Sequence, residues 1–185
     1  SKLGFEIVTA EPVTRSVLPQ NDFRDEKTLS DLVTPMCGEG VAERMWLGFQ
    51  AIDKASQLIA KHDAALGIPV PDMLLRHLNS KEAPPEWLTA VKTLYTTAMN
   101  EMYRANTRAR EGSRSFTLYN AKRMEFTFHF ISCIEALYKS HDPATRAESR
   151  DAAMESLYNA LNSWSDVARD SSDRGGIALL NEYGY

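Results

Sequence analysis

Four stretches of this chain carry apolar side chains at intervals of three and four residues, and glycine or proline bounds each one. That interval puts the apolar groups on one face of a helix with 3.6 residues per turn, so helices must pair faces to hide them. The first stripe is Val41, Met45, Phe49, Ile52, Ala55 and Ile59, closed by Gly67, Pro69 and Pro71. The second is Trp87, Val91, Leu94, Ala98, Met102, Ala105 and Ala109, opened by Pro84 and Pro85 in the favoured first-turn position. Its small residues at the far end allow a neighbouring helix to approach closely. The third stretch is apolar almost all round (Phe126, Phe128, Phe130, Ile131, Cys133, Ile134, Leu137, Tyr138), as expected of a central helix. The fourth begins at Asp142-Pro143 and carries Ala153, Leu157, Leu161, Trp164 and Ala168. Gly175-Gly176 is expected to break it, leaving a short terminal helix over 177–183.

Short connections between the second, third and fourth stretches predict an all-α, up-down four-helix bundle with extra short helices. One short helix carries Leu29, Leu32 and Val33 and ends near Pro35; another is capped by Asp72 and runs to about His77. Residues 4 to 18 differ. Phe5–Ala10 is strand-like and is interrupted by Pro12 and Pro19. A single strand has nothing here to pair with. Residues 1–24 therefore read as an extended N-terminal segment, either lying over the helices or forming the edge of a missing domain, and 25–185 as the helical bundle domain. The chain begins Ser-Lys-Leu-Gly without an initiating Met, which reads as a piece of a longer protein.

A length of 185 residues suits one domain, and about 70% of the unfolded chain's surface can be buried at this size. The 43% apolar content supplies the core. A net charge of -4 and a pI near 5.6 argue against general nucleic-acid binding. No apolar run approaches the roughly 20 residues that span a bilayer. Two cysteines cannot make a disulfide framework, and Cys133 in its apolar run reads as a core residue.

Charge is concentrated at one turn. Between Arg104 and Arg123 lie six cations (Arg104, Arg108, Arg110, Arg114, Lys122, Arg123) against a single acid, Glu111. Gly112 suits a left-handed helix end there, and Ser113 or Ser115 a cap for the next helix. Arg104, Arg108 and Arg123 around such a turn can grip a carboxylate or phosphate, with Tyr103 and Tyr119 beside them to hold a sugar or aromatic ligand. The default reading is internal pairing with Glu101, Glu111, Glu125 or acids of the fourth helix. In ARDSSDRGG, Arg169 and Arg174 alternate with Asp170 and Asp173, which reads as local ion pairing.

A bundle invites a di-iron centre, which needs two Glu-x-x-His motifs. None occurs. Glu125 and His129 share a helix face and are weak metal ligands in the absence of a second such pair. No cofactor is expected: His129 among Phe126, Phe128 and Phe130 resembles a haem edge, but aromatics at helical spacing form core. No nucleophile elbow, phosphate loop or dinucleotide fingerprint is present.

Several of these segments resemble the C-terminal α-helical domain of large glycoside hydrolases. They are Asp31-Leu-Val-Thr-Pro-Met-Cys-Gly-Glu-Gly-Val-Ala-Glu-Arg-Met45, Tyr119–Phe126, His129–Leu137 and Asp173–Asn181. The resemblance implies a non-catalytic accessory domain of a carbohydrate-active protein. Such a domain packs on an upstream catalytic domain and flanks its carbohydrate substrate groove; the resemblance carries over no catalytic residue. The residues themselves also admit a helical protein-interaction or anion-binding module, or a bundle enzyme with a metal or small-molecule site near Glu125 and His129.

Overall fold

A computed structural model describes residues 26–62, 78, 80 and 82–184. The Phe5–Ala10 strand and the Asp72–His77 helix lie outside the described residues, as does the extended segment 1–24. Among the described residues the chain is all-α. In chain order the helices are α1 (Glu26–Cys37), α2 (Val41–Lys61), α3 (Glu86–Arg108), α4 (Arg114–Lys139), α5 (Arg146–Ser165) and α6 (Ser171–Gly184). A 3-10 turn, Glu111–Ser113, joins α3 to α4.

The main contacts are between successive helices: α1 on α2, α2 on α3, α3 on α4, α4 on α5 and α5 on α6. The largest cluster of buried side chains draws on α1 to α4 and on the C-terminal half of α5. A smaller one (Cys133, Ala136, Ala153, Leu157) fills the space between α4 and the N-terminal half of α5. Helix α4 is therefore central, and its apolar circumference serves α3 on one side and α5 on the other. Burial of its buried side chains, each worth about 1.5–3 kcal/mol for a large residue, drives this packing.

The stripes hold with a rotation. Val41, Met45, Ile52, Ala55 and Ile59 are buried on α2, and Val91, Ala98, Met102 and Ala105 on α3, with Ala109 buried just beyond it. Trp87 and Leu94 are only half-buried; Leu88 and Tyr95 take the centre of the α3 face. Close approach of α2 to α3 is permitted by Gly48, where a Cβ would lie 2.8 Å from Met102 Cε.

Several helix ends differ from expectation, each for a local reason. Helix α1 runs through Pro35 to Cys37. A proline in the last turn forfeits one ladder bond, and it lies on the exposed side. Helix α3 starts at Glu86, with Pro85 as an extended N-cap. Its stop owes nothing to Gly112: among the described glycines only Gly38 and Gly40 have positive φ, at 99° and 72°. Ala109 turns extended instead (φ -64°, ψ 142°). Ser113 occupies the N-cap of α4, but its hydroxyl donates back to the Arg110 carbonyl (3.0 Å). Asp142 and Pro143 lie in the turn before α5, where the Asp142 carboxylate accepts from the Ala144 amide (2.9 Å). Gly175 and Gly176 lie inside α6 rather than breaking a helix. Gly176 is required there because the Trp164 ring rests on it: a Cβ would be 2.4 Å from Cη2.

Candidate binding face and cleft

The cations of the basic turn go to separate partners. Arg104 donates to Glu101 (2.5 Å), whose other oxygen accepts from Arg44 (3.1 Å). Glu101 is thus a buried carboxylate held between helices α2 and α3 by two guanidiniums. Arg110 crosses to the end of α1. Its amide donates to the Cys37 carbonyl (2.9 Å) and its guanidinium to the Pro35 carbonyl (3.1 Å). Helix α1 has no basic residue in its own last turn, so Arg110 supplies the cation that the carbonyl end of its dipole favours. The Arg110 stem lies against Gly38 and the Arg108 guanidinium against Gly40, leaving little room for a side chain at either glycine. Arg114 turns back to the Ala109 carbonyl (3.3 Å). Most of the basic turn therefore clasps the α1–α2 corner to the α3–α4 corner.

Further along α4, a polar seam faces α3 and the end of α5. Lys122 is 2.9 Å from Glu125 and 3.0 Å from Asp166. The Tyr103 hydroxyl donates to Glu125. His129 Nε2 is 3.9 Å from the other Glu125 oxygen. Tyr103, from the basic turn, and the Glu125–His129 pair thus share one cluster. Burial, together with the bond to Glu125, pushes the Tyr103 phenol up to about 12. Burial opposes the charge on Lys122, but its bonds to Glu125 and Asp166 outweigh that and raise its pKa. Glu125 is likewise penalised by burial, yet Tyr103 and Lys122 hold it below the usual carboxylate range. Burial lowers His129, assisted by Lys122 and Lys92 and opposed by Glu125. Lys122 already places an ammonium between the Glu125 and Asp166 carboxylates, the position a metal cation would need. Among the described residues no group of three or more His, Cys, Asp or Glu side chains is placed to hold a metal.

Arg123 and Tyr119 lie together on α4, and a residue not singled out with them joins them. The Arg169 guanidinium lies 4.6 Å from the Tyr119 ring centre and Arg123 lies 5.7 Å from it. Arg169 also donates to the Ser115 carbonyl (2.6 Å). The expected pairing of Arg169 with its neighbouring aspartates does not form. Asp173 accepts from the Trp164 indole and from the Arg169 amide, both at 2.9 Å. Asp170 accepts from the Ser172 and Asp173 amides, both at 2.9 Å, at the start of α6. With the carboxylates occupied by backbone and indole donors, the Arg169 side chain crosses to α4. No spacing in the sequence signals that crossing.

At the other end of the molecule, a cleft of about 790 Å³ opens between the start of α3, the second half of α4 and the first half of α5. Its width comes from small wall residues: Ser132 and Ala136 on α4, Ser149, Ala152 and Ser156 on α5. Inside it, Glu135 is bracketed by Lys92 (2.7 Å) and Lys139 (3.2 Å), and Lys92 also lies over the Phe128 ring. Burial disfavours the Glu135 charge, but the two lysines prevail and lower its pKa. Glu82, Asp142 and Glu148 stand exposed around the rim without an ion pair among the described residues.

Both cysteines are buried and free, and burial pushes the Cys133 thiol up to about 12, which makes it inert as a nucleophile. No helix among the described residues is long and apolar enough to cross a membrane. No family model, curated protein or solved structure matches the chain.

Proposed function

We propose that this chain is a non-catalytic helical binding module, an up-down arrangement of α2 to α5 whose cleft holds a basic segment of a partner protein. The cleft is the observation that carries this reading. Four carboxylates and two ammoniums line it, and both ammoniums are engaged by one carboxylate, Glu135. The rim is left acidic, which selects cationic partners by charge complementarity. The titrating groups of the Tyr103–Glu125 seam support the same reading. Tyr103 and Lys122 are held up and Glu125 is held down, away from neutrality, whereas an acid or base catalyst is tuned toward it. In the accessory-domain form of this reading, the partner segment belongs to a neighbouring catalytic domain of a carbohydrate-active protein. That form rests on the sequence resemblance.

Peptide binding to the full chain tests the reading. Lysine- and arginine-bearing peptides are expected to bind more tightly than acidic peptides of equal length. Ala152→Trp, which fills the cleft from an exposed position, is expected to abolish that binding. Equal affinity for acidic and basic peptides, or unimpaired binding by the Trp variant, would refute it. Neutral and acidic oligosaccharides in the same assay test the carbohydrate form.

A further inference from the structure

The geometry points to a second binding site: we infer that Arg123 and Arg169, held on Tyr119, receive a phosphate monoester. Neither guanidinium has an ion pair with a carboxylate of the described residues. A guanidinium laid over an aromatic ring uses its face, and its edge N–H groups stay available for an oxyanion. Arg169 spends one such group on the Ser115 carbonyl, which fixes its position and leaves the remaining donors.

The site is held in place before any ligand arrives. Arg123 and Tyr119 are one turn apart on α4, where regular helix sets their relation. The Arg169 backbone is tied to the Asp173 carboxylate, which also holds the Trp164 indole in the core. Asp166 pairs with Lys122, and Asp170 and Asp173 accept from backbone and indole donors, so none of them forms an ion pair with either guanidinium. Two guanidiniums without a carboxylate ion pair suit a dianionic phosphate ester better than a carboxylate, and the guanidinium fork matches the spacing of its oxygens. Phosphate chemistry could be presented by a soluble molecule or by a lipid headgroup.

The test follows the arginine Nε–H NMR signals of the full chain during addition of O-phosphoserine, of acetate, and of phosphatidylcholine vesicles containing phosphatidate. Saturable shifts of the Arg123 and Arg169 signals with O-phosphoserine are expected, with acetate at least about ten-fold weaker. Arg123→Gln and Arg169→Gln are each expected to weaken binding about ten-fold, the loss of one charge-assisted hydrogen bond. Arg169→Lys, which keeps charge but not the fork, should fall between. Should Arg169→Gln loosen the α5–α6 turn, the Arg123 variant decides alone, because its backbone lies within regular helix. Response to vesicles and not to free O-phosphoserine would assign the site to lipid phosphate. No saturable shift with either probe, or undiminished binding by Arg123→Gln, overturns the inference. Cleft binding of basic peptides is unaffected by these variants, so failure here and failure of the cleft reading are separable.

Discussion

Two adjacent glycines in α6 should respond to alanine with opposite signs. Gly175 is exposed, and a Cβ there meets nothing within 4 Å. Gly175→Ala therefore gains helix propensity, up to about 1 kcal/mol, at no steric cost. Gly176→Ala gains the same propensity but sets a methyl 2.4 Å from Trp164 Cη2 and 3.0 Å from Cζ2. Ordinary carbon contacts are about 3.5–4.0 Å, so ring or helix must move by about 1 Å. The ring cannot swing freely. Its indole donates to Asp173 at 2.9 Å, and Phe126 meets it edge-on with centroids 5.3 Å apart. Overpacking at such a site costs about 1–3 kcal/mol, and losing the indole bond adds about 1 kcal/mol. After the propensity gain, Gly176→Ala is left destabilised by about 1–3 kcal/mol. Urea denaturation followed by circular dichroism and tryptophan fluorescence measures both variants. Because α6 rests chiefly on α5, amide exchange at Ile177 should report the loss before global unfolding does. A Gly176→Ala protein as stable as Gly175→Ala would refute the placement of Trp164 against α6.

Other outcomes follow from the same contacts. Glu125→Gln should cost about 1–2 kcal/mol at pH 7. The folded-state pKa of Glu125 lies below its ordinary 4.5, so this contribution is present above that value and drains away as pH falls through the folded pKa. Urea titrations at pH 7 and pH 3 should show the gap between variant and wild type narrowing with acid; a constant gap contradicts it. His129 should titrate by NMR with a midpoint below 6.5, because burial and the nearby lysines disfavour its cation. Its folded state resists the proton, so this residue withdraws stability as pH drops below 6.5; a midpoint at or above that value argues against the seam. Gly38→Ala should cost about 1–2 kcal/mol in urea, since φ is 99° there and the Arg110 stem lies 3.3 Å from the new methyl. A loss below about 0.5 kcal/mol would show that the corner adapts.

Helical periodicity in the sequence was enough to locate the long helices. Val41, Met45 and Ile52, or Val91, Ala98 and Met102, repeat at an interval only a helix can bury together, and they are buried. Helix ends were less legible because tertiary contacts decide them. Ala109 leaves the helix as the chain turns to carry the Arg110 amide to Cys37, a residue 73 positions earlier. Gly175 and Gly176 punctuate an isolated segment, yet Trp164 packing makes the second a requirement of α6. The site was legible in the same proportion. Tyr119 and Arg123 are neighbours on one helix and could be read as a pair. Arg169 could not, because its aspartates look like ion partners until their oxygens are seen capping backbone amides. The cleft was not legible at all: it depends on which small residues of α4 and α5 face each other.

The Arg110–Cys37 bond has a kinetic consequence. Successive helices rest on one another across short turns, so α3, α4 and α5 can associate through contacts close in sequence, a topology that folds fast. The clasp of Arg110 on the end of α1 instead closes a long loop and gains nothing until both corners exist. Substitutions at Gly38 and Arg110 should then leave the refolding rate near that of wild type and accelerate unfolding, the pattern of contacts formed after the transition state.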